Sequence, residues 1–109
     1  MKLPIRTSII VNGNEWDFGR RIMDAALIDD VVVVTLVPDS GLPTIIAHDL
    51  ERRVLWRDID LPHFPGQDGP SLTAYSIALE QPLSFYIDAG YLLEVDLRSG
   101  QRLDTRFVK

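Results

Sequence analysis

The chain carries two histidines and no cysteine, and these counts narrow the chemistry open to it. Without a thiol there can be no disulfide framework, thiolate metal site or cysteine nucleophile. His48 stands between Ala47 and Asp49, and His63 sits beside Phe64 in a proline-rich stretch, a separation that lacks metal-ligand spacing. Asp58, Asp60 and His63 form the densest set that could hold a hard cation or exchange a proton. The alternative for that set is a solvated strand end running into a loop. No Gly-x-Ser-x-Gly elbow sets a serine beside a base. Gly66-Gln67-Asp68-Gly69-Pro70 is acidic and lacks the lysine of a phosphate-cradling loop. Asp29-Asp30 falls between two apolar runs, where aspartate serves a turn through its own backbone. These residues argue for binding rather than catalysis, and they call for no metal and no cofactor.

Binding chemistry is better represented. Glu15-Trp16-Asp17-Phe18 interleaves carboxylates with aromatics and would suit a partner site rich in Arg or Lys. The alternative is that Trp16 and Phe18 cover the end of a barrel. The stretch Pro62-His63-Phe64-Pro65-Gly66-Gln67-Asp68-Gly69-Pro70 must be irregular, and long irregular loops in small domains often carry function. An exposed Phe64 there would anchor a partner, unless it tucks back on the core. The candidate partner-binding residues are therefore Glu15, Trp16, Asp17, Asp58, Asp60, His63, Phe64 and Asp68. A formal net charge of −5 disfavours nucleic acid, which is bound through clustered Lys and Arg, and suits a basic protein partner, the alternative being that it only keeps a small domain soluble.

The elements that position these residues read as strands. Residues 5–11 are rich in β-branched side chains and end at Asn12-Gly13, a tight-turn dipeptide. Apolar runs follow over 22–28 and 31–37, then strands over 44–50 and 53–59. The irregular stretch 61–70 precedes strands over 72–79, 83–88, 91–97 and 102–108. A helix over 18–30, capped by Asp17, is the alternative for one region, but the repeat of the units demands a strand there. The uninterrupted run Val31-Val32-Val33-Val34 implies a strand covered on both faces. By contrast, residues 83–88 alternate, with Leu83, Phe85 and Ile87 inward and Ser84, Tyr86 and Asp88 outward. At 109 residues the chain is one domain: an N-terminal strand over 5–11, then two meanders over 22–59 and 72–108. The expectation is an all-β fold of eight or nine mostly antiparallel strands, closed as a sandwich, a barrel or an incomplete propeller. With no membrane-length apolar run and no signal-like N-terminus, the expected location is cytoplasmic.

One hairpin motif occurs twice. Ala47-His48-Asp49-Leu50-Glu51-Arg52-Arg53-Val54-Leu55-Trp56 and Glu94-Val95-Asp96-Leu97-Arg98-Ser99-Gly100-Gln101-Arg102-Leu103 each run a strand into Asp-Leu, turn, and resume. Asp49 and Asp96 lie 47 residues apart, close to the period of a four-stranded propeller blade. The two copies resemble the Ala-x-Asp…Leu-Trp and Asp-x-x-Thr-Gly-Lys hairpins of PQQ-type and related β-propeller blades. The resemblance implies that the Asp accepts backbone N–H groups in its turn, that Gly supplies a positive φ, and that Trp packs between neighbouring blades. Arg52 stands where a Gly is expected in the shorter copy, and Asp104 where the longer copy would have its Trp. A closed propeller needs about four blades or more, so two units must close by curling together, by self-pairing or by joining a partner.

The ending from Tyr91 through Gly100 to Phe107, taken with the Trp56 hairpin, is also similar to a group of small bacterial proteins that includes toxin immunity proteins. That likeness spans residues 22–109. Together with the net charge of −5 it implies a protein that occludes a toxin's active site with acidic groups drawn from Glu15, Asp17, Asp58, Asp60 and Asp68. Two other expectations stand beside it: an assembly module that completes a sheet through an edge strand, as monomer or homodimer, and a small-molecule binder using a barrel interior.

Overall fold

A computed structural model describes residues 3, 6–39, 42–59, 73–88 and 90–108. It is all-β, and its described residues form ten strands in three antiparallel sheets. Strands β1 (Ser8–Val11) and β2 (Asn14–Asp17) make a hairpin. Strands β3 (Ile22–Ile28), β4 (Val31–Leu36), β5 (Ile45–His48) and β6 (Val54–Arg57) make the first four-stranded meander. The second consists of β7 (Tyr75–Leu79), β8 (Ser84–Ile87), β9 (Tyr91–Val95) and β10 (Arg102–Phe107). Each meander is its own sheet, in sequence order from the inner strands β3 and β7 to the outer edges β6 and β10.

The turns follow from residue type. Asn12 and Gly13 both take positive φ (50° and 80°), closing β1 on β2 with Val11 opposite Asn14. That is the two-residue turn whose twist matches a hairpin. Asp29 and Asp30 do the same between Ile28 and Val31 (φ 45° and 64°), as the sequence predicts. Aspartate takes this left-handed conformation more readily than most side chains, and here the Asp29 carboxylate accepts the Gln81 amide at 3.3 Å. The region read as strand rather than helix, 22–28, is β3.

The three sheets stack as layers, with no closed barrel among the described residues. The two meanders pack face to face over Ala26, Val31, Val33, Ile45 and Ala47 on one side and Ile77, Phe85, Ile87, Leu93 and Val95 on the other. The β1–β2 hairpin covers the opposite face of the first sheet through Ile9, Val11 and Trp16, which meet Ala25, Val32, Val34 and Leu36. Strand β4 is therefore covered twice, and all six of its residues are buried. This is why its sequence lacks alternation. Among the described residues the second sheet has one covered face, so β8 alternates: Phe85 and Ile87 lie in the core and Tyr86 is exposed. Ser84 departs from the predicted pattern, being buried with its hydroxyl donating to Pro82 O at 3.0 Å.

The strand count exceeds the expected eight or nine because residues 14–17 pair with the N-terminal strand. A further link joins the inner strands: the Ile77 N–H donates to Asp24 Oδ2 at 2.9 Å, tying β7 to β3.

Candidate functional site

The repeated hairpins lie where the layers interlock. In the first, the Asp49 carboxylate accepts the N–H groups of Glu51 and Arg53, both at 2.9 Å. In the second, Asp96 Oδ2 accepts from the Ser99 N–H at 2.9 Å and hydroxyl at 2.7 Å. These bonds favour the ionised form. Accordingly the Arg53 backbone N–H, then its guanidinium, holds Asp49 below the usual carboxylate range, and the Ser99 hydroxyl and N–H do so for Asp96. Both turns end on a left-handed residue, Arg52 (φ 65°) and Gly100 (φ 75°). The backbone thus requires at Arg52 the conformation a glycine would supply.

Each of these residues meets a tryptophan from the preceding layer. Trp56, buried on β6, donates Nε1–H to Leu97 O at 2.8 Å, and its ring lies against Gly100, where an added Cβ would fall 2.5 Å from a ring carbon. Trp16 has the matching role in the layer before. The Arg52 guanidinium sits 5.8 Å from the Trp16 ring centroid and 5.0 Å from that of Phe18, and donates to Asp17 O. The exposed Asp104 occupies the third equivalent position, opposite Glu94 and facing away from the core. The β1–β2 hairpin thus sets its Trp against the next unit's turn as β5–β6 does, though it closes through Asn12-Gly13 rather than an Asp-Leu turn, a likeness the sequence reading did not include. The available signal was Trp16, 40 positions before Trp56 and just beyond a tight turn.

His48 completes this junction. It is 3 % exposed, its ring centroid lies 5.5 Å from both Trp16 and Phe18, and Nδ1 is 3.4 Å from Val32 O. Burial pushes its pKa below the ordinary value and the nearby Arg52 charge adds to this, against the Val32 carbonyl and Asp49. The imidazole works as a packed, neutral core group.

The predicted partner-binding residues separate. Trp16 is 5 % exposed and belongs to the core, because β2 turns alternate residues inward; it is withdrawn from the accessible surface. Glu15 and Asp17 project outward on either side of it. Glu15 accepts the Ser8 hydroxyl at 3.1 Å, and Asp17 Oδ1 accepts the Gly19 N–H at 2.8 Å. Asp58, exposed and left-handed (φ 58°), follows β6 and accepts the Thr44 N–H at 3.2 Å, a different neighbourhood from the hairpin. Burial, then the charges of Asp58 and Asp88, push the Tyr75 phenol up to about 12, so it stays neutral. Asp60, His63, Phe64 and Asp68 lie outside the described residues. Among the described residues, no three His, Cys, Asp or Glu side chains gather to hold a metal ion.

Phe107 is the most exposed large apolar side chain among the described residues, and other exposed ones stand at both outer edges as well as at Ile10 and Leu79. Val54 and Leu55 are exposed on β6, and Leu103 (55 %) and Phe107 (63 %) on β10, with Val108 just beyond. Among the described residues, strand β10 borders only β9 in its sheet, and a bulge at Leu103 shifts its register between Arg102 and Asp104. No helix among the described residues is long and apolar enough to cross a membrane. Comparison with protein-family models, with curated proteins and with solved structures finds no match.

Proposed function

We propose that this chain is a non-catalytic protein-binding domain that engages its partner through the outer edge of the second sheet. The observation that carries this reading is β10. It is a six-residue edge strand whose backbone is open on one side among the described residues, with Leu103 and Phe107 exposed along it. An edge of this kind adds a strand from another chain, main-chain bonds giving affinity and side chains giving selectivity.

A second reading, an immunity-type protein opposing a basic toxin domain, draws support from Glu15 and Asp17, whose carboxylates face outward over a rigid, Trp16-anchored hairpin. Photo-crosslinking separates the two. A crosslinker at Phe107 is expected to give a discrete protein adduct, insensitive to charge reversal at Glu15 and Asp17. An adduct from position 15 alone, weakened by salt, would move the function to the acidic hairpin. Absence of a discrete adduct from either position would overturn the protein-binding reading.

A further inference from the structure

We propose that β10 pairs antiparallel with β10 of a second copy, about a two-fold axis passing through Thr105. This names the partner of the edge just described and rests on that reading.

Backbone geometry limits the possible registers. The Val108 N–H donates to Gly90 O at 3.0 Å, and the register sets Arg106 opposite Leu92 and Asp104 opposite Glu94. In an antiparallel ladder, alternate residues direct their N–H and C=O groups to the same neighbour. Residues 104, 106 and 108 thus turn theirs toward β9, and Thr105 and Phe107 turn theirs to the open edge. A second β10 can bond this edge only where outward-directed residues oppose each other.

Charge then selects among the allowed registers. With Thr105 opposite its own copy, Asp104 of each strand stands opposite Arg106 of the other, twice by symmetry. On the other face, the exposed Leu103 and Phe107 are brought opposite each other. Sliding one allowed step either way sets Arg106 against Arg106 or Asp104 against Asp104. Opposite charges directly across a strand pair stabilise and like charges destabilise. Within one chain, Asp104 and Arg106 reach only 3.8 Å, and both side chains are more than half exposed, so each is available to the partner strand. Pairing would join the two second sheets into one eight-stranded sheet and remove the β10 edge, an isologous contact of the kind common in dimers.

The test uses the full chain, whose lack of cysteine makes single-thiol variants unambiguous. Sedimentation of the wild type is expected to show a concentration-dependent dimer. Thr105→Cys is expected to join to itself on oxidation or with a short bismaleimide, since directly opposed hydrogen-bonded residues lie about 5.5 Å apart between Cα atoms. Ile10→Cys, exposed on the hairpin, is the control and is expected to stay unjoined. Asp104→Arg is expected to weaken the dimer about tenfold or more, and adding Arg106→Asp to restore it. A dimer in which the Thr105→Cys variant does not join to itself, or in which the charge swap fails to rescue, overturns the proposal. A monomer whose Thr105 and Phe107 amides exchange rapidly overturns the second copy but leaves the edge open for a different protein. A monomer in which those amides are protected overturns the edge reading too.

Discussion

Replacing Gly100 with alanine tests the layer interlock at its tightest point. Two costs add at this position. The residue sits at φ 75°, where a side chain carries about 1–2 kcal/mol of left-handed strain. The new Cβ would also stand 2.5–2.7 Å from three carbons of the Trp56 ring, closer than real contacts allow. The ring is rigid and held by its bond to Leu97 O, so it must move as a body. Overpacking of this kind costs about 1–3 kcal/mol, giving a total loss of about 2–5 kcal/mol. Gly19→Ala isolates the first cost, because Gly19 has φ 63° and open space where its Cβ would lie. Urea unfolding followed by far-UV circular dichroism gives both values if the slope of the transition is unchanged. Gly100→Ala should be the more destabilising by about 1–3 kcal/mol, and the excess should vanish when Trp56 is replaced by leucine. Equal losses for the two alanine variants, or an excess that survives in the Trp56→Leu background, would refute the wedge.

Arg52→Gly relieves the left-handed backbone as it removes the guanidinium from Trp16 and Phe18, whereas Arg52→Ala only removes it. The alanine variant should be less stable than the glycine variant by about 1 kcal/mol in chemical unfolding. His48 has a folded pKa below its unfolded value, so its contribution is complete above the ordinary histidine value and is lost as pH falls through the folded one. Unfolding midpoints measured from neutral to mildly acidic pH should fall for the wild type and fall less for His48→Phe. Asp96→Ala should lower the melting temperature by removing the acceptor that organises the β9–β10 turn, while Asp88→Ala, exposed in another turn, should not. Asp24→Ala leaves the Ile77 N–H without its carboxylate and should cost about 1–3 kcal/mol in the same unfolding assay.

Much of the architecture was legible because strand periodicity reports how many faces are covered. The run from Val31 to Val34 announced a doubly covered strand, and residues 83–88 announced a singly covered one. Asp49, Asp96 and Gly100 announced their turns because the requirements there are local: a carboxylate bonding backbone N–H groups within four residues, and a left-handed φ. The candidate site was less legible. Glu15-Trp16-Asp17 read either as a surface patch or with Trp16 as a core cover, and pairing β2 with β1 decides it by sending the carboxylates outward and the indole into the core.

The sequence by itself determined the all-β class, the two meanders and the turn chemistry, since each depends on residues close along the chain. Only the tertiary structure decided which sheet covers which. It placed Trp16 over Arg52 and Trp56 over Gly100, joining residues roughly 40 positions apart whose individual types do not specify one another. Among the described residues it also left β10 at an open edge with Asp104 and Arg106 on one face. A strand's two faces are written in its own alternation, but its neighbours are set by how the layers stack.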